Sequence, residues 1–378
     1  MRELDEARKH SLERSVRDAH ILVTTGAGGV GKTTSAAAIG LAAAKAGRRT
    51  LVLTIDPARR LAQAMGLEGL GDEPAHVEVP GAPDGGELWA MMLDMQTTFD
   101  RLIDRHATTT EHARNIKDNR IYRTLSSTLS GTQEYMAMER LHELHETGEW
   151  DLLVVDTPPT RSALDFLDAP NRMTSFLEGR LLSLLMRPGM AAGKRVGKMV
   201  GFGATTFMKV AGRVTGMELL DDLASFFRNF EGMYEGFKAR AAEVRELLQH
   251  SSSRFVVVTS ADPPPLREAK FFLERLEQEG LHAAGVVVNR IRPEVPRDPS
   301  DAALRRAIEA QDDDDEGRAV AGALALLGDV RNLAGRQRRD VASALYGVRI
   351  PALVEVPLLG RDVHDLDGLS AIADTLTA

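Results

Sequence analysis

A mostly parallel β-sheet covered by helices on both faces is the fold class this sequence predicts, and three observations carry it. Short continuous Val/Leu/Ile runs recur along the chain and alternate with longer helical stretches, the pattern of strands buried on both faces. The first run, Ile21-Leu22-Val23, leads into a glycine-rich turn from Gly26 to Gly31, which opens into an alanine-rich helix over residues 35–46. Two later runs end in an aspartate, Asp56 and Asp156, where a strand would reach the rim of the sheet.

Element by element, residues 49–56 read as the second strand and 87–93 as the third. Residues 150–156 form a buried strand, followed by 254–259, 284–289 and, as the last strand, 352–356. Residues 96–148 and 170–253 carry no strand pattern and predict a helical subdomain inserted into the sheet core. The domain reading is a core from 1–95, a helical insertion from 96–148, and a core strand with a switch at 149–169. A second helical segment at 170–253 follows, then core at 254–292 and 348–378, interrupted by 293–347. That interruption opens on Pro-Glu-Val-Pro-Arg-Asp-Pro and carries Gln311-Asp-Asp-Asp-Asp-Glu316, expected as a solvated, mobile loop before an arginine-rich helix at 336–345.

At 378 residues, 43% hydrophobic and 27% charged, the chain can bury about three quarters of its unfolded surface, enough for one large domain with a subdomain. Its start is charged, and no run approaches the ~20 apolar residues of a membrane span, so a cytoplasmic location is expected. Zero cysteines exclude thiolate metal sites, disulfides and a cysteine nucleophile. A net charge of −8 offers no global attraction to nucleic acid.

Gly26-Ala27-Gly28-Gly29-Val30-Gly31-Lys32-Thr33-Thr34 fits the spacing G-x-x-x-x-G-K-[ST] between a strand and a helix. Glycines let backbone N–H groups curl around an anion at a helix N-terminus. Lys32 would reach the β- and γ-phosphates, and the Thr33 hydroxyl can ligate Mg²⁺. Gly26, Gly28 and Gly31 also match the dinucleotide pattern G-x-G-x-x-G, with Asp56 placed where a ribose would be held. Lys32 and Thr33 decide for a triphosphate, because a dinucleotide fold has no use for them after its third glycine. The predicted core is thus a Rossmann-like P-loop NTPase with an inserted helical subdomain. Asp156, in Val-Val-Asp156-Thr157-Pro158-Pro159-Thr160, reads as a carboxylate that positions Mg²⁺, or as a capping aspartate before a turn. Asp56 reads as the group that orients the attacking water, or as the N-cap of a helix beginning at Pro57.

Taken in order, Gly-Gly-Val-Gly-Lys-Thr-Thr at 28–34, Asp-Pro-Ala at 56–58, Asp-Thr-Pro-Pro-Thr at 156–160, Val-Asn at 288–289 and Val-Pro-Leu-Leu at 356–359 resemble the successive motifs of the arsenite-pump (ArsA) and guided-entry ATPase family. The resemblance covers nearly the whole chain. It implies a Mg²⁺-dependent ATPase related to the MinD group, working as a pair of nucleotide-binding units. It further implies that Gly28, Gly29, Val30, Gly31, Lys32, Thr33 and Thr34 hold the phosphates. Asp56 with Pro57 would be the first switch and Asp156–Thr160 the second, with Asn289 bonded to adenine and Pro357 packed around the base. Without the resemblance, Asn289 reads as readily as a turn residue closing a strand.

Several positions depart from the pattern. Ala27 stands where guided-entry members have a lysine that crosses to the partner's nucleotide. Arg161 follows the second switch, either as a substitute charge or as a helix-surface partner of Asp165. Without cysteine, neither a zinc-joined dimer nor thiolate binding of arsenite is available, and His142 and His145 read as one polar helix face. Residues 179–217 hold seven basic side chains and no acidic one, with an apolar stripe that includes Val200, Phe207, Val214 and Met217, and with Met208 beside it. This is a candidate client surface if open, and permanent core if covered. The expected function is a homodimeric ATPase that shelters a hydrophobic client or membrane-protein segment. A MinD-like switch or scaffold is the alternative, and an NAD-dependent oxidoreductase the remote one.

Overall fold

The computed structural model describes residues 2–56, 60–119, 122, 132–157, 234–296 and 298–378. Among the described residues, eight strands form one sheet: β1 (Ile21–Thr25), β2 (Arg49–Thr54), β3 (Ala75–Val77), β4 (Glu87–Met92), β5 (Leu152–Asp156), β6 (Ser253–Ser260), β7 (Ala283–Ile291) and β8 (Leu353–Pro357). Their order is β3-β4-β2-β5-β1-β6-β7-β8, with β3 antiparallel to β4 and every other pair parallel. The seven strands expected from their apolar runs are all present. The edge strand β3 was not expected, because three residues are too few to show a period.

Two units divide the chain. The first is Met1–Met92, Thr147–Leu164 and Leu248–Ala378; the second is Leu93–Glu146 and Asp165–Leu247. In the first, α1 (Arg2–Ala7) and α2 (Glu13–Asp18) precede the sheet, and α3 (Lys32–Lys45) and α12 (Leu366–Thr377) pack together beside it. Leu22, Val52, Val154, Val256 and Val258 share one buried cluster with the alanines of α3 and with Leu369, Ile372 and Leu376 of α12. The alternate residues Ile21, Val23, Leu51, Leu53, Val155 and Val257 point to the other face and are also buried, which is why these strands are apolar throughout. The short α4 (Arg60–Ala64) follows β2, and α9 (Pro263–Gln278) packs on β6 and β7.

The excursion before β8 differs from the loop and short helix expected. It forms α10 (Asp301–Glu309) and the 30-residue α11 (Asp315–Ala344). The acidic run supplies the start of α11: the Asp314 carboxylate accepts the Gly317 N–H at 2.7 Å, and Asp315 and Glu316 lie in the first turn, where negative charge complements the helix dipole. Among the described residues, no helix is long and apolar enough to cross a membrane.

Of the two tryptophans of the chain, Trp89 lies within β4 and Trp150 just before β5. The Arg49 guanidinium lies 5.8 Å from the Trp89 ring and 5.1 Å from the Trp150 ring, and Arg49 also pairs with Glu87 at 3.1 Å. Arg49→Ala should therefore destabilise the first unit by about 1 kcal/mol and shift its tryptophan emission, as read in urea unfolding followed by fluorescence.

The second unit is helical where described: α5 (Met95–His106), α6 (Thr110–Lys117), α7 (Thr132–Glu146) and, up to Leu247, α8 (Tyr234–Gln249). Phe99 and Tyr122 stack with centroids 5.1 Å apart. Arg240 of α8 binds three carboxylates, Glu139, Glu146 and Glu243, each at 3.1 Å. His142 is buried beside Glu146 rather than forming a polar face with the exposed His145, because the carboxylates around it converge on Arg240.

Candidate functional site

Parallel register brings the carboxyl ends of β1, β2 and β5 to one level: Thr24 and Thr54 both stand opposite Asp156. β1 is also where the chain changes direction in the sheet, with β5 on one side and β6 on the other, the position at which open α/β sheets bind ligands. The turn after β1 fits there only because of its glycines. A Cβ on Gly26 would stand 1.9 Å from the Val258 carbonyl oxygen, and one on Gly31 would stand 2.1 Å from the Asn289 amide nitrogen. Gly31 occupies the N-cap of α3 in a left-handed conformation (φ 99°), and among the described residues no side chain caps this end of the helix. The first-turn N–H groups thus face the loop, the arrangement that receives anions at helix N-termini.

Lys32 arches back over the loop and donates from Nζ to the carbonyls of Gly26 and Ala27, both at 3.0 Å. Burial holds its pKa below the usual lysine value, opposed by the nearby charges of Asp156 and Asp56. Thr33 turns the other way and donates from Oγ1 to Asp156 Oδ2 at 2.7 Å, and Thr54 donates to the same oxygen at 2.9 Å. Asp156 is fully buried, its other oxygen Oδ1 has no hydrogen-bond partner among the described residues, and burial pushes its pKa up to about 6. Its described side-chain bonds come from hydroxyls on neighbouring elements, Thr33 of α3 and Thr54 of β2.

An orphaned, desolvated carboxylate oxygen beside a threonine hydroxyl is a donor set that suits a hard divalent cation completed by phosphate oxygens and water. The residues present therefore fit Mg²⁺, with Thr33 and Asp156 as the side chains that would hold it. Among the described residues, no group of three or more histidine, aspartate or glutamate side chains forms a metal cluster. Asp56 follows β2 on the same rim; its N–H donates to Thr54 Oγ1 at 3.2 Å, and its charge acts on both Lys32 and Asp156. Thr157 is anchored by donating to the Thr24 carbonyl at 2.8 Å.

Beside the loop lies a cavity of about 280 Å³, near the lower end of small-molecule pockets, on which Thr34, Asn289 and Pro357 meet. Asn289 spans from β7 to the loop. Its Nδ2 donates to the Val30 carbonyl at 2.8 Å, and its Oδ1 accepts the Arg290 N–H at 2.9 Å. Sequence reasoning missed Thr54, whose signal was a hydroxyl closing an otherwise apolar run, and the cavity residues Arg60, Gln63 and Arg290. Pro57, Pro158, Pro159, Thr160, Arg161 and the stripe containing Val200, Phe207, Met208, Val214 and Met217 lie outside the described residues.

A parallel sheet with a glycine-rich phosphate loop at its switch point, a lysine and a hydroxyl opening the following helix, and a buried aspartate on the adjacent strand define the P-loop nucleotide-binding class. Comparison with known proteins narrows this. A family model described as anion-transporting ATPase matches residues 19–314, and the chain belongs to that family. Similar relatives include a provisionally named arsenical pump-driving ATPase 1 of Aquifex aeolicus, 24% identical over 72% of this chain and 64% of its own length. A second such protein, from Prosthecochloris vibrioformis, is 32% identical over 41% of this chain and 36% of its own. ATPase GET3 of Malassezia globosa is 26% identical over 70% of this chain and 71% of its own. The chain thus spans less than two thirds of the length of the first two of these relatives.

Proposed function

We propose that this protein is a Mg²⁺-dependent ATPase that hydrolyses ATP to ADP and phosphate and couples its nucleotide state to the helical unit. The observation that carries the reading is the partnerless Asp156 oxygen beside Thr33, under a phosphate loop whose helix end has no side-chain cap. Lys32 exchanges its carbonyl partners for the β- and γ-phosphates, and its charge stabilises the transferring phosphoryl group. Mg²⁺ held by Thr33 and Asp156 would neutralise charge on the same oxygens. Asp56 orients the attacking water in line with the leaving group, Thr34 supports the α-phosphate, and Asn289 and Pro357 bound the base. The loops after Asp56 and Asp156, through Pro57 and through Thr157–Thr160, act as the two switches.

Membership of a family that includes an arsenical pump-driving ATPase and a GET3 ATPase supports the hydrolytic reading. We assign the coupled work to sheltering an apolar client segment on residues 179–217, in a homodimer with one phosphate loop per chain. Cargo binding through thiolates is excluded by the absence of cysteine from the chain. The test is phosphate release with Mg²⁺ and with chelator. Wild-type protein should turn over only with Mg²⁺, and Asp56→Asn should bind ATP with wild-type affinity while turning over more slowly. A wild-type chain that does not bind ATP in calorimetry would overturn the assignment. Light scattering that shows a strict monomer with and without a non-hydrolysable analogue would overturn the dimer.

A further inference from the structure

We propose that Arg290 is a nucleotide-contacting residue, its guanidinium a second cationic group beside Lys32 on the polyphosphate of a nucleotide bound in the phosphate loop. The inference rests on the ATP-binding reading and adds to it a residue that no motif marks. Three observations converge on it. Arg290 is the only non-glycine residue with positive φ among those described, at 57°. That left-handed conformation is unfavourable for a side chain with a Cβ, and such outliers persist where the surroundings impose them, often at ligand sites. Here the pairing of β7 with β8 shifts register between Val288 and Ile291, a bulge that the Asn289 side chain fixes by accepting the Arg290 N–H while its amide holds Val30 of the loop.

The second observation is direction. The bulge carries the exposed Arg290 side chain back to the phosphate loop, where Nη1 donates to the Gly29 carbonyl at 3.3 Å, and the residue lines the same cavity as Thr34 and Pro357. The third is charge. Arg290 makes no ion pair among the described residues, whereas Arg338, whose guanidinium reaches the Arg292 carbonyl just past this strand end, is paired with Glu294 at 3.3 Å and Glu355 at 3.1 Å. A guanidinium whose one polar bond is a long contact to a neutral carbonyl is available to a phosphate oxygen. That acceptor makes a shorter, charge-assisted bond. The competing account is mechanical: Arg290 braces the loop and touches nothing else.

Arg290→Gly separates the two, because glycine adopts φ 57° without strain. Calorimetric titration of wild type, Arg290→Gly and Arg290→Lys with ATP and ADP, at low and moderate salt, is paired with thermal unfolding of the nucleotide-free proteins. A phosphate contact predicts that Arg290→Gly unfolds at or above the wild-type temperature yet binds ATP roughly tenfold more weakly. It also predicts a shallower dependence of ATP affinity on ionic strength, with Arg290→Lys recovering part of the loss. ATP affinity in Arg290→Gly within twofold of wild type would overturn the proposal. So would weaker binding with an unchanged salt dependence and a lowered unfolding temperature, the pattern of a brace. Wild-type protein that fails to bind ATP would overturn the nucleotide reading itself, a result visible before any variant is made.

Discussion

Lys32→Ala is expected to lower ATP turnover by about a hundredfold or more while leaving the fold intact. The size follows from where the ammonium sits. It is buried against the loop and desolvated, so that burial chiefly drags its pKa down, and a charge in such surroundings acts on a phosphoryl group far more strongly than one in water. Its present partners are the carbonyls of Gly26 and Ala27, at the rim of the sheet. Removing the side chain exposes those carbonyls to water rather than stranding them in the core, so thermal unfolding of the variant should stay near wild type. Lys32→Arg should not rescue, because the planar guanidinium cannot follow a path shaped for a compact ammonium. Phosphate release at saturating ATP checks the rate, and calorimetry with ATP checks binding. Wild-type turnover by Lys32→Ala would show that the loop is not the site of chemistry.

What the sequence disclosed and what it hid divide along physical lines. Strands buried on both faces announce themselves as unbroken Val/Leu runs, so β1, β2, β5, β6, β7 and β8 were legible, and with them the rim on which Asp56 and Asp156 stand. The phosphate loop was legible because its chemistry needs particular residues at fixed spacing. The bond from Thr54 to Asp156 was hidden, since it joins residues 102 positions apart through strand register that no local pattern encodes. Arg290 was hidden because its left-handed backbone is imposed by Asn289 and the packed loop, not by its own preference. The acidic run before α11 misled for the opposite reason: consecutive aspartates read as solvated loop, yet one of them caps a helix whose Ala/Leu-rich body follows. The pairing of Glu139 with Arg240 spans 101 positions and likewise leaves no local trace.

That pair yields the largest expected effect on stability: Arg240→Met should destabilise the second unit by about 3 kcal/mol at pH 8, and by progressively less as the pH falls. Glu139 is buried in the body of α7, and with Arg240 gone its carboxylate keeps only the longer contact to Arg105 at 3.5 Å. Burial already raises the Glu139 pKa and Arg240 holds it back, so the variant raises it further. A carboxyl with a raised folded pKa favours the fold below its unfolded pKa and loses that contribution as pH rises through the folded value; the penalty is therefore greatest in alkali. Glu146 acts in the same sense. Its pKa is lowered chiefly by the hydrogen bond from Arg240, a contribution present above its ordinary value, lost as pH falls, and missing from the variant. His106 and His142 are held below the usual histidine value by burial first and by Arg240 second. Wild type thus loses stability as pH drops below about 6.5, and the variant loses less. All four groups push the difference between the two proteins in one direction, larger at high pH and smaller at low. Because both tryptophans lie in the first unit, urea unfolding at pH 8 and pH 5 is followed by circular dichroism, which reports on the helices. Glu139→Leu combined with Arg240→Met should recover most of the loss, since it removes the buried charge along with its partner. An equal loss at both pH values, or no recovery in the double variant, would mean that the arginine acts through its packing and not through its charge.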